Sequence, residues 1–191
     1  MADTTKQSRH GHGLNAGAKR GIIMRRLAVV VLAMLVMLVA APSSHAAVTL
    51  TKPERQLLAL INRTRVNHNL HRLRVVANLE RAARFHSREM VRRDYFRHES
   101  FNGEGFGTRL IRFGYKPAGF TSWKAGEDIA YGSGSLGTPR AIWRAWMHSA
   151  PHRRIILMAC FRDVGVGRAA GTDLGFDGVV FFTLDSGRRT R

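Results

Sequence analysis

The chain has 191 residues and a formal net charge of +18, a length that suits one domain, or one domain preceded by a targeting segment. Its single cysteine, Cys160, excludes an internal disulfide, so the fold has to be held by packing. So basic a chain favours anionic partners.

The first feature along the chain is Leu27 to Ala41, fifteen apolar residues without a charge. A membrane-spanning helix needs roughly 20 such residues; this run has the size of a signal-peptide core. Arg25 and Arg26 precede it, and the small residues Ser44 and Ala46 fit cleavage after Ala46. Residues 1–46 are therefore predicted to be a signal peptide, with Met24 as an alternative start, and residues 47–191 the mature domain. Retention of the apolar run as an anchor is the competing outcome. Either way the domain is expected to be secreted or associated with the cell envelope.

Thr51, Pro53 and Glu54 form a helix start, with Leu57, Leu58 and Ile61 following at helical spacing to an end near His68. A second helix is predicted from Asn78 to Asp94, its apolar face carrying Leu79, Ala82, Ala83, His86 and Met90. His86 reads as a core histidine. Arg81, Arg84, Arg88 and Arg92 recur on another face, either an ordinary solvated surface or an anion-binding strip. A Gly-rich loop from Ser100 leads to a short helix over Phe106 to Phe113, and Gly114 to Lys124 reads as an irregular connection. Thr138 and Pro139 open a further helix to about His148, which Pro151 interrupts before a short helical run through Arg154 to Met158. Phe161 to Arg168 and Val179 to Leu184 are strand-like and predicted to pair antiparallel. Helices first and strands later argue for an α+β fold.

Residues 47–191 hold 25 Lys and Arg, 22 of them Arg, against 12 Asp and Glu. Arginine forks bind phosphate and carboxylate in two-pronged fashion. For an exported domain the anions at hand are a cell-wall polymer, a lipid head group or an acidic polysaccharide. Nucleic acid has the right charge but the wrong compartment, and no aromatic-interleaved binding motif supports it.

Six short motifs follow in order: Asn62-Arg63-Thr64-Arg65; Leu79, Ala82, Ala83, His86 and Met90; Phe96-Arg97-His98-Glu99-Ser100; Gly126-Glu127-Asp128-Ile129-Ala130; Trp146-Met147-His148-Ser149 with His152-Arg153; and Val164-Gly165-Val166-Gly167. Together they resemble the bacterial SCP-like branch of the CAP superfamily of cysteine-rich secretory, antigen 5 and pathogenesis-related proteins, over roughly Lys52 to Ser186. The resemblance implies a three-layer α-β-α sandwich with a central antiparallel sheet, and a cleft of two His and two Glu that holds a divalent metal in some members. By motif, His98, Glu127 and His152 match cleft positions. Ser149 stands where many relatives carry the second Glu, and Asp128 where they carry Asn, which would set a second carboxylate beside the first.

The residues alone support the same centre. An imidazole and a carboxylate that converge make a metal site, for an ion such as zinc, or an acid/base pair; they equally make a hydrogen-bonded brace between loops. Two functions stay open on these grounds: a binding module for an envelope polymer or lipid, expected as a monomer, and a hydrolase or metal-dependent enzyme using the same cleft. The Gly132 to Gly137 run matches a GxGxxG pattern but has no βαβ setting, and Ser149 lacks the nucleophile-elbow context of a serine hydrolase.

Overall fold

The computed structural model describes residues 48–173 and 176–191. The expected signal segment lies outside the described residues. Five α-helices and four strands are described: α1 Lys52–Asn67, β1 Arg74–Val75, α2 Ala77–Arg93, α3 Phe106–Arg112, β2 Ser122–Ser133, α4 Pro139–His148, α5 Ala150–Ile156, β3 Asp163–Asp173 and β4 Phe176–Thr190.

The helix ends follow from local chemistry. The Thr51 backbone N–H donates to Glu54 Oε2 at 2.7 Å, closing the start of α1. Thr138 caps α4 by accepting from the Ala141 N–H at 3.2 Å, and α2 stops where Asp94 turns left-handed at φ 51°. Pro151 behaves differently from its expectation. It sits in the first turn of α5, where its missing N–H has no helical partner to lose, so it opens that helix instead of breaking one.

The sheet order is β1-β3-β4-β2. The three long strands are antiparallel, and the two-residue β1 adds one parallel pair to β3. Along β4 the side chains alternate. Val180, Phe182 and Leu184 join Leu57 and Ile61 of α1, Ile142 and Trp146 of α4 and Ile156 of α5, while Val179 and Phe181 join Met90 of α2. Helices thus cover both faces, giving the α-β-α layering of an α+β fold. Alternation also explains Val164-Gly165-Val166-Gly167. The valines enter the first core cluster, and the glycines face α2, where a Cβ on Gly165 or Gly167 would collide with backbone atoms of Leu79 or Ala83. The helix lies on the strand because those side chains are missing.

β2 departs furthest from the sequence reading, which took its first residues as an irregular connection. Its segment carries Gly126, Glu127, Asp128 and Gly132, all poor strand formers, and residues 126–129 are buried on both faces, so no period of two is visible. Pairing with β4 from Ser122 to Ser133 makes it a strand.

One buried arginine ties the α1 layer together. Arg65, fully buried, donates from Nε to the His71 carbonyl at 2.9 Å, from Nη1 to Ile156 at 2.6 Å and Met158 at 3.2 Å, and from Nη2 to Phe161 at 3.1 Å. It anchors the turn from α5 into β3. Trp143 and Trp146 serve packing, their indole N–H groups donating to Thr64 Oγ1 and the Ile129 carbonyl. Trp123 also packs inward, beside Tyr115 and Leu110.

Candidate functional site

The loop between α2 and α3 carries His98, and two side chains fix it from below. His86, on the apolar face of α2, is fully buried and donates from Nε2 to the Arg97 carbonyl at 3.0 Å. Burial pushes His86 down to about 4, so it stays neutral. Arg109 of α3 is also fully buried. Its Nη1 and Nη2 both donate to the His98 carbonyl at 3.1 Å, and Nη1 reaches Ser100 Oγ at 3.0 Å.

Glu127 comes from β2 and points to the α2 face of the sheet, opposite Asp185 of β4. Its Oε1 accepts from His98 Nδ1 at 2.9 Å, and its Oε2 forms an ion pair with Arg109 Nη2. The Glu127 side chain is wholly buried, whereas that of His98 is 47% exposed. Burial alone would raise the Glu127 carboxyl, but the His98 hydrogen bond and the Arg109 charge hold it below the usual carboxylate range. The ionised Glu127 in turn raises His98 above the ordinary imidazole value. Asp185 is the opposite case. Burial, then the charge of Glu127, push it well up, so it is the protonated member of the carboxyl pair.

His152, in α5, receives no hydrogen bond from this network. Its Nδ1 pairs with Ser149 Oγ at 2.7 Å, and burial, then the charge of His98, lower it. The charge of His98 thus reaches His152, while of the two imidazoles only that of His98 is hydrogen-bonded to Glu127. Asp128 does not join them. It follows Glu127 in an extended strand and turns to the opposite face, the face on which Gly126 meets Ile155 and Phe161. There it is buried with both oxygens unpartnered, and burial pushes it up to about 8.

These contacts bear on a divalent metal. Among the described residues no three His, Cys, Asp or Glu side chains form a group that could hold an ion. Both Glu127 oxygens are engaged, which leaves His98 Nε2 and His152 Nε2 as donors, short of the three protein ligands that an open zinc site uses. The arginine strip also divides. Arg84 pairs with Glu54 at 2.6 Å and Glu80 at 2.8 Å, so it is an internal brace of α1 against α2. Arg81 is tied to Asn78 and the Phe113 carbonyl, while Arg88 and Arg92 are exposed.

Sequence reasoning missed Arg109 and Asp185. A signal existed for each. Arg109 occupies the apolar face of its short helix, three residues after Phe106 and four before Phe113, and Asp185 continues the inward alternation of Phe181 and Thr183.

Residues 58–186 match the profile of the cysteine-rich secretory protein family, CAP. The chain belongs to this family. The CAP domain is 34% identical over 127 residues to the uncharacterized protein YkwD of Bacillus subtilis strain 168, a match spanning 66% of this chain and 44% of the relative. It is 32% identical over 117 residues to the uncharacterized membrane protein YlbC of the same organism, across 61% of this chain and 32% of the relative. The chain thus spans less than half the length of these curated relatives. Among solved structures, an extracellular SCP-domain protein from Bacillus anthracis superposes with a TM-score of 0.57 at 28% identity, covering 74% of this chain and 45% of its own. An outer surface protein from Borrelia burgdorferi superposes with a TM-score of 0.60 at 22% identity, covering 74% and 97%, a likeness of fold.

A separate groove of about 490 Å³ runs between α1 and the start of α4, with Leu60, Ala59 and Pro139 along it and Arg63 and Arg140 beside them.

Proposed function

We propose that this CAP domain is an exported binding module for an anionic cell-envelope polymer or lipid, with His98 and His152 in its contact site. The observation that carries the reading is the build of the His98 site. A buried carboxylate and a buried guanidinium hold one half-exposed imidazole in a fixed orientation and favour its cationic form. Such a group offers an N–H and a positive charge to a ligand anion. The exposed Arg88 and Arg92 and the basic excess of residues 47–191 add long-range attraction. Were the ligand a lipid, the groove beside Arg63 and Arg140 offers an apolar wall with two cations. The extracellular Bacillus anthracis neighbour and the membrane protein YlbC support placement outside the cytoplasm or at the envelope.

Co-sedimentation with purified anionic wall polymer tests the reading. Binding should weaken with salt, because exposed charges are screened beyond about 8 Å at physiological ionic strength. It should fall in His98→Ala, assayed at a temperature where that variant is folded, and in the Arg88→Glu/Arg92→Glu double variant, whose thermal midpoint should be nearly unchanged. Binding indifferent to salt and to all three changes would overturn it.

A hydrolytic reading has one observation in its favour, the Ser149–His152 hydrogen bond beside a histidine that burial keeps neutral. Proton transfer would then fall to His152, since Glu127 is bound to Arg109. Turnover of an envelope polymer that disappears in Ser149→Ala and His152→Ala would favour it. Either reading admits weak zinc binding through the two Nε2 atoms; calorimetric titration at pH near 7.5 should show a signal that His98→Ala abolishes.

A further inference from the structure

The end of α2, the loop after it and the end of β2 expose aromatic rings together. Phe96 is 39% exposed, Tyr131 46% and Phe101 51%. Scattered exposed apolar residues are ordinary, but these are linked. The Phe96 ring meets Tyr131 edge-on at 4.8 Å, and Tyr131 stacks on the buried Phe181 at 5.6 Å. Tyr95 packs against the same buried cluster of Met90, Ile129, Val179 and Phe181, and carries Phe101 at 6.0 Å. Arginines sit on the rings, Arg93 at 5.1 Å from the centre of Phe101 and Arg97 at 5.0 Å from that of Tyr95. Glu89 fixes the arrangement by accepting from the Tyr95 hydroxyl at 2.6 Å and the Phe101 N–H at 3.2 Å, so its charge is engaged within the protein.

We infer that this face, made of Tyr95, Phe96, Phe101, Tyr131, Arg93 and Arg97, is a stacking platform for an acidic glycan chain. The inference rests on the envelope-ligand reading above and names the ligand class and a contact surface beyond His98. Sugar rings present flat C–H faces that lie on aromatic rings, and arginine forks take carboxylate or phosphate groups on the same chain with two-pronged geometry. Rings already held by neighbours lose little side-chain freedom on binding. A bilayer is the less suitable occupant. Insertion requires apolar groups that reach about 5–10 Å into the acyl boundary, whereas these rings lie against one another and against the core.

The full chain would be titrated with a polyuronate, with a polyol-phosphate polymer, and with vesicles of equal parts phosphatidylcholine and phosphatidylglycerol. The two polymers separate carboxylate from phosphate as the acidic group. The Phe101→Leu/Tyr131→Leu variant, which keeps apolar bulk but removes the rings, should weaken polymer binding about tenfold or more, as expected for aromatic contacts central to an interface. Phe101→Tyr and Tyr131→Phe should bind like the parent, and Arg93→Gln/Arg97→Gln should lose affinity mainly at low salt. Melting curves establish that each variant is folded, and Phe101→Leu alone, at the most exposed ring, serves if the double change unfolds. Polymer binding that survives ring removal yet falls in Arg88→Glu/Arg92→Glu overturns this inference and leaves the broader reading standing. A parent chain that binds neither polymer nor the vesicles overturns both. Ring-dependent binding to vesicles alone makes the face a membrane contact and overturns the glycan assignment.

Discussion

Arg65 and Arg109 are both fully buried, and they do different work. Arg65 is surrounded by neutral acceptors, four backbone carbonyls from one turn and one loop. Arg109 meets a carbonyl and a hydroxyl, but also the carboxylate of Glu127, which in turn holds an exposed imidazole. Carbonyls satisfy a guanidinium without adding a group that titrates near neutral pH, so the Arg65 hub is the same at every physiological pH. A carboxylate passes charge onward, so the Arg109 hub sets the protonation of His98 and Asp185. A buried charge braced by carbonyls serves the fold; one braced by a carboxylate that reaches the surface serves a site.

The largest expected effect is at the first hub. Arg65→Met would leave four carbonyls facing an apolar side chain, at a cost on the order of 5 kcal/mol. The variant should be recovered unfolded or with a sharply lowered melting temperature, and no single change elsewhere should rescue it, because no one group is left charged. A stable, fully folded Arg65→Met protein would remove the distinction drawn between the hubs.

Arg109→Met should cost somewhat less, about 3 kcal/mol, mostly because it leaves the buried Glu127 charge with only the half-exposed His98 as its partner. Adding Glu127→Gln should therefore recover much of the loss. Chemical denaturation of the two single variants and the double variant gives the coupling energy; additivity would show that Arg109 acts through the loop carbonyl and Ser100 alone.

Asp128 sharpens the comparison as a buried carboxyl whose two oxygens have no hydrogen-bond partner among the described residues. Its folded value of about 8 lies far above the unfolded one. The folded state thus holds a proton that the unfolded state releases from about pH 4 upward, and stability falls as pH rises from there through about 8. Asp128→Asn removes that penalty. Its melting temperature should exceed the parent's by about 3 °C or more at pH 8, the shift that ~1 kcal/mol gives at this size, and by much less at pH 4.5. An advantage equal at both values would mean that Asp128 ionises normally.

The smallest effect is a titration shift. In NMR titration His98 should lose its proton above the ordinary imidazole value and His152 below it. Glu127→Gln should bring His98 back toward normal while moving His152 little. The His98–Glu127 pair stabilises the fold fully below the unfolded imidazole value, and that contribution is lost as pH rises through the raised folded value of His98.

The helices were legible in the sequence. Thr51 with Glu54, Thr138 with Pro139, and the spacing of Leu79, Ala82, Ala83 and Met90 act within one or two turns, so neighbouring residues carry the whole signal. Six motifs in order carried the family and, through it, His98, Glu127 and His152. Pairing with β4 decided that Ser122–Ser133 is a strand, because Gly126, Glu127, Asp128 and Gly132 dilute the β preference of Trp123, Ile129 and Tyr131. Strand alternation then set Glu127 and Asp128 on opposite faces, where adjacency in sequence had suggested two carboxylates side by side. Arg109, Asp185 and the separation of Arg84 from Arg88 and Arg92 also needed the fold, because a charge is defined by what lies across from it. The sequence by itself determined the periodic elements and the chemistry available to the site. Only the tertiary structure decided which charges are buried, which are paired and which reach solvent, since desolvation and ion pairing depend on contacts between residues far apart in the chain.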